Sequence, residues 1–227
     1  MIRTTCFALA MMAGSLAHAS TIYTQAFPTG ILPDTAQNIS FSGPLDILAG
    51  QIDPVANPIE LFRFQIPDPA AFSAQTIVGD LFFAPVATPI LYLFDDVGNP
   101  IYADSDSGGS RQGYLGAGLP IGPAASGFYL LAITWFGNVP VDHLGNPLFQ
   151  DFQTPYLDGQ FISYAPNTGV GPLSAWQLTG GFFEDGPDYQ INLTGVVATP
   201  EPGTLGLLAS ALAMLATISG RRYKKRW

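Results

Sequence analysis

The residues best placed to do chemistry lie in one stretch, "DDVGNPIYADSDSGG", from Asp95 to Gly109. Asp104, Asp106 and Ser107 set oxygen-bearing side chains ahead of Gly108-Gly109, and Asp95 or Asp96 stands at the end of the preceding apolar segment. A hard cation such as Ca²⁺ takes oxygen ligands of this kind on a tight turn. An acidic turn hydrated by solvent accounts for the same spacing, so a bound Ca²⁺ and a solvated loop stand as alternatives. Paired acids elsewhere in the chain offer a second chemistry, glycoside hydrolysis, which needs two carboxylates about 5 to 9 Å apart.

Neither set is complete as written. The loop is half of an EF-hand pattern and lacks its distal bidentate glutamate. Asp106-Ser107-Gly108-Gly109 is similar to the nucleophile segment of chymotrypsin-like proteases, but those enzymes place a histidine base well before the serine. The earlier histidine here is His18, inside an N-terminal leader. His143 follows the serine and lies on a turn, where solvent exposure is the ordinary state. One body histidine and no body cysteine cannot build a zinc site without carboxylates doing everything. Tyr102, Tyr114 and Trp135 are candidates to stack on sugars or, by alternation, to fill the core.

Charge narrows the partners. The chain has 227 residues and a formal net charge of -9, yet Arg3, Arg221, Arg222, Lys224, Lys225 and Arg226 all sit near its ends. Between Ser20 and Thr199 only Arg63 and Arg111 face 16 acidic residues. Such a body repels nucleic acid, which binds through basic surface. It suits divalent cations or neutral polymers.

The elements that must position these residues read as strands. Phe62, Phe64 and Ile66 alternate with Arg63 and Gln65, and Tyr189, Ile191 and Leu193 alternate with Gln190, Asn192 and Thr194. The denser runs Ile90 to Phe94 and Phe128 to Phe136 fit central strands. With 25 Gly and 20 Pro, the body offers no uninterrupted helical stretch of about 12 residues. "DDVGNPIYAD" (Asp95 to Asp104) is echoed by "DHLGNPLFQD" (Asp142 to Asp151), which predicts two hairpin-like turns with Gly-Asn at positive φ and proline opening the return strand. The expectation is an all-β, antiparallel sandwich over residues 20–197, flanked by a leader at 1–19 and a tail at 198–227.

"ELFRFQI", "TPILYLFDDVGNPIYADSDSG", "ASGFYLLAITW" and "DYQINL" together resemble the bacterial pre-peptidase C-terminal family. The resemblance implies a jelly-roll-like β-sandwich with an adhesive or solubilising role rather than catalysis. The chain departs from that pattern by inserting Gly137 to Ala175 before the last strands. Residues 20–59 have no counterpart in it and are expected to add edge strands.

The ends carry addresses. Arg3, the apolar run Cys6 to Leu16 and Ala17-His18-Ala19 make a signal peptide with signal peptidase cleaving before Ser20, which removes the chain's one cysteine. Gly203 to Gly220 are 18 uncharged residues, about 27 Å as a helix, enough to halt in a thin bilayer. The following basic cluster holds its side cytoplasmic and leaves the body outside. Pro200 and Pro202 keep Glu201 extended. Pro200-Glu201-Pro202, the apolar run and the basic end resemble a PEP-CTERM sorting signal. That resemblance implies processing by an exosortase of a Gram-negative bacterium and delivery to the cell surface or to an exopolysaccharide or biofilm matrix. A plain tail anchor is the alternative. Asn38 and Asn192 begin Asn-x-Ser/Thr triplets, a pattern short enough to arise by chance.

Overall fold

Glycine and proline leave little room for helix, and the computed structural model places strands and one 3₁₀ turn, Pro69–Ala71, among its described residues. These are residues 21–25, 29–40, 43–53, 58–78, 89–105, 112–116, 122–135, 137–150, 163–178 and 188–198. The strands are β1 (Ile22–Thr24), β2 (Gln37–Asn38), β3 (Ile47–Gln51), β4 (Ile59–Ile66), β5 (Ser73–Val78), β6 (Pro89–Asp95) and β7 (Pro100–Asp104). They continue as β8 (Tyr114–Gly116), β9 (Gly127–Trp135), β10 (Asn138–Val141), β11 (Ser163–Tyr164), β12 (Ala175–Leu178) and β13 (Asp188–Thr194). The chain is all-β over these residues.

One sheet has five strands in the order β1-β3-β13-β5-β8, another six in the order β11-β7-β6-β9-β4-β2, and β10 pairs with β12 in a two-stranded ribbon. Antiparallel pairing prevails, but one edge of each large sheet is parallel, β1 against β3 and β2 against β4. The expected antiparallel pattern is therefore mixed at these edges. Residues 20–59 do supply one edge strand to each large sheet, while β3 lies inside its sheet because β13 covers its other side.

Alternation explains the first core. Phe62, Phe64 and Ile66 of β4 meet Ile191 and Leu193 of β13 in a cluster that also holds Leu48, Leu91, Leu93 and Leu131. Both large sheets contribute to it, so each strand's inward residues leave water together, with about 1.5–3 kcal/mol of stabilisation for each large aliphatic or aromatic side chain fully buried.

The opposite face of the six-stranded sheet is covered too. Ile90, Tyr92 and Phe94 of β6 and Leu130 and Ala132 of β9 join Val139, Val141, Leu148, Phe149 and Leu173 in a second cluster. Gly137 to Ala175, the stretch that interrupts the family-like pattern, thus supplies the cover. With both faces buried, β6 and β9 need apolar residues at every position, and this is why their sequences read as runs rather than as alternation. Tyr92 anchors the cover, its hydroxyl donating to the Asn138 carbonyl at 2.9 Å and its ring meeting Phe149 and Trp176 at 5.5 and 5.4 Å.

Candidate functional site

The echoed turns are built alike. Asp95 Oδ1 accepts the Val97 and Asn99 backbone N–H at 3.0 and 2.8 Å, and its Oδ2 accepts the Asn99 side chain at 2.7 Å. Asp142 does the same for Leu144 at 2.8 Å and for Asn146 at 2.9 and 3.1 Å, and adds the Gly171 N–H at 3.3 Å. Gly98 and Gly145 take φ of 95° and 79°, a conformation L side chains resist. Burial acts against a charged Asp142, but the donors from Asn146, Gly171 and Leu144 outweigh it and hold its pKa down to about 2. The aspartates shape turns.

That role bears on the cation reading. Asp104 lies opposite Leu91 in the β6–β7 pair, whereas Asp95 closes the hairpin at its other end. Four residues of strand, about 13 Å at ~3.3 Å per residue, part their backbones, so the two do not come together on one ion. The Asp104 carboxylate is fully buried and accepts the Tyr114 N–H at 2.9 Å, tying β7 to β8 of the other sheet. No cluster of three His, Cys, Asp or Glu suited to a metal occurs among the described residues. Asp106, Ser107, Gly108, Gly109 and Arg111 lie outside them, as do Ala17, Ala19, Pro200, Glu201, Pro202, Arg221, Arg222, Lys224, Lys225 and Arg226. His143 is exposed on its turn.

A third buried acid, Glu60, belongs to no catalytic or metal-ligating motif of the sequence. Glu60 is in phase with Phe62, Phe64 and Ile66 and so points into the shared core, where it is fully buried. Its two oxygens accept the Gln25 amide and the Tyr189 hydroxyl, which joins β4 to β13 across the sheets. Burial first, then the charge and hydrogen bond of Glu60, push the Tyr189 hydroxyl far above its ordinary pKa. Glu60 and Asp104 share one cross-strand row through Ile133 and Leu91. Three strand spacings, about 14 Å, separate their backbones, well outside the range that paired-acid hydrolysis uses.

The outer face of the five-stranded sheet is open and mixes amide and hydroxyl side chains with exposed Ile22 and Ile77. Register sets Ile22, Ile47, Asn192, Gln75 and Tyr114 in one row, and Thr24, Ala49, Gln190 and Ile77 in the next. Gln190 donates to Asn192 at 2.9 Å, Gln75 to Gln112 at 3.2 Å, and Ser73 and Thr194 share a bond of 2.8 Å. A cavity of about 530 Å³ lies at the Gln51–Asp188 end of this sheet, lined both by outward residues such as Thr24, Ile77 and Gln190 and by the core-facing Gln25, Gly50 and Tyr189. Among these described residues only Asp188 carries a charge.

Tyr114 completes this face. Its ring occupies the space that a Cβ on Gly116 would take, so the missing side chain two residues on lets the phenol lie back over the edge strand. Of the other aromatics named as sugar platforms, Tyr102 is buried in the first core and is withdrawn from that role, and the Trp135 side chain lies outside the described residues.

No helix among the described residues is long and apolar enough to cross a membrane, and residues 203–220 are not among them. No protein-family model, curated protein or solved structure matches the chain.

Proposed function

We propose that the chain is an exported, non-catalytic surface or matrix protein, sorted through a PEP-CTERM tail and held to neutral exopolysaccharide by the outer face of its five-stranded sheet. That face carries the reading. Amide and hydroxyl side chains at Thr24, Gln51, Gln75, Gln190 and Asn192 both donate and accept, which matches sugar hydroxyls, and Tyr114 offers a ring for their C–H faces. A nearly uncharged face of this sort needs no ionic partner. In this reading the body is a jelly-roll-like sandwich, signal peptidase frees Ser20, and an exosortase acts near Pro200-Glu201-Pro202.

Electrophoresis through gels containing the producing cell's exopolysaccharide tests the binding face. Retardation that Tyr114→Ala and Gln75→Ala remove supports it; migration equal to that of a non-binding control protein rejects it. Coexpression with an exosortase tests the tail, since mass spectrometry should find residues 203–227 removed from the native chain and retained in Glu201→Ala.

A further inference from the structure

We infer that the Ile66 end of the body faces the membrane while the tail is attached, and that Val97 and Leu144 dip into the lipid surface there. The inference rests on the reading of residues 203–220 as a membrane segment, and it adds which surface meets the bilayer.

The exit point comes first. Val197 pairs with Gln65 beside the β4 terminus, and the Ala198 N–H donates to the Gly43 carbonyl at 3.3 Å, so the chain leaves the core at this end. Four residues, 199–202, then lead to Gly203, five steps of chain with a reach of at most about 17 Å. Pro200 and Pro202 stiffen that tether. Whatever the body presents at the Ile66 end is therefore held against the bilayer.

Both Asp-Gly-Asn turns lie at that end. β6 runs from Pro89 opposite Trp135 to Asp95 opposite Tyr129, toward the terminus where Ile66 pairs with Gly127. β10 starts at Asn138, whose side chain reaches the Pro58 carbonyl at the Ile59 end, and runs away from it into Asp142. One segment links the turns, with the Gly171 N–H on Asp142 at 3.3 Å and the Leu173 N–H on the Gly98 carbonyl at 2.9 Å.

Each turn then exposes an aliphatic side chain at the same position. Val97 is 63% and Leu144 73% exposed. The turn asks of that residue only its backbone N–H, which any non-proline residue supplies, and polar residues are the usual occupants of a solvated turn. Of the nearby acids, Asp96 is bound by Arg63 through two bonds of 2.5 and 2.9 Å, Asp95 and Asp142 fold inward onto their own turns, and the exposed Asp68 caps the Pro69–Ala71 turn through the Ala70 N–H at 3.0 Å. Two such side chains are a weak anchor alone. Beside an inserted tail they act at high effective concentration and fix orientation.

The test uses the exported chain from Ser20 to Trp227, which has lost Cys6 with its leader, produced without an exosortase and reconstituted in phosphatidylethanolamine–phosphatidylglycerol vesicles. Single Val97→Cys, Leu144→Cys or Leu178→Cys variants carry a polarity-sensitive fluorophore; Leu178 is 60% exposed but pairs with Asn138, at the Ile59 end. Expected is a vesicle-bound protein whose emission moves to shorter wavelength, with quenching by nitroxide lipids, at 97 and 144 but not at 178. Vesicle-bound protein with all three probes in water overturns the inference and leaves the tail reading standing. Protein that stays off the vesicles overturns both.

Discussion

Tyr189 reaches across the core to donate its hydroxyl to Glu60, so that a tyrosine on β13 and a glutamate on β4 tie the five-stranded sheet to the six-stranded one. Gln25, on the segment after β1, donates to the other carboxylate oxygen and lies 2.8 Å from the same hydroxyl. Three polar groups are thereby satisfied where all are largely buried and Glu60 is fully so. A double-mutant cycle in urea should show it: Tyr189→Phe costs about 1 kcal/mol and Glu60→Ala about 1–3 kcal/mol, because the latter takes the acceptor from the buried Gln25 amide N–H while the Tyr189 hydroxyl keeps the Gln25 oxygen. Residues in direct contact should give a coupling energy of at least about 0.5 kcal/mol. Strict additivity would show that the contact does not hold the sheets together.

Alkaline stability should depend on the same hydroxyl. Its folded pKa is raised above the ordinary value of 10, by burial before all else and then by Glu60, so the neutral form belongs to the folded state. The contribution is fully present below about pH 10 and is lost as pH rises beyond it, because the unfolded chain releases that proton first. Tyr92, also raised by burial, adds to the trend. Melting temperature followed from pH 8 to 11 should fall less steeply in Tyr189→Phe than in the native chain. Parallel curves would refute the assignment.

How far these features were legible depends on how local their causes are. The turn chemistry of Asp95-Gly98-Asn99 and Asp142-Gly145-Asn146 is written within five residues, and the structure shows both turns as the sequence implies. The alternation of β4 and β13 was equally plain, and Glu60 was visible in it as an acid in the phase of Phe62 and Phe64. What that acid meets depends on Gln25 and Tyr189, residues 35 and 129 positions away, and no local pattern carries such pairing. The pair Asp95 and Asp104 shows the converse. Asp95 and Asp104 are near in sequence, but a hairpin sends them to opposite ends. The role of Tyr114 turns on an absent side chain at Gly116, which reads as an ordinary turn glycine until the register is known.

Asp142 should govern the acid limb. Its pKa is depressed to about 2, so its stabilising contribution is present above the ordinary carboxylate value near 3.9 and is lost as pH falls toward and through 2. Asp142→Asn keeps an acceptor but removes the charge that strengthens its four hydrogen bonds, and it should lower the melting temperature at pH 7. At pH 2 the two proteins should converge. A gap that is the same at both pH values would mean that the charge plays no part and that only side-chain shape holds the turn.

Gly50 of β3 should resist substitution for a reason that is steric alone. A Cβ there would fall on the Gln25 amide oxygen and within 2.6 Å of the Tyr189 hydroxyl, because the polar cluster occupies the space beside the strand. No positive φ is involved, so the backbone accepts alanine and the neighbours do not. Overpacking of this kind costs about 1–3 kcal/mol, and Gly50→Ala should lose that much in chemical denaturation. The same substitution placed on a Gln25→Ala, Tyr189→Phe background should cost clearly less, since the two closest obstructing atoms are gone and only the ring carbon Cζ at 2.8 Å remains. An undiminished cost would locate the strain in the strand itself and not in the bridge between the sheets.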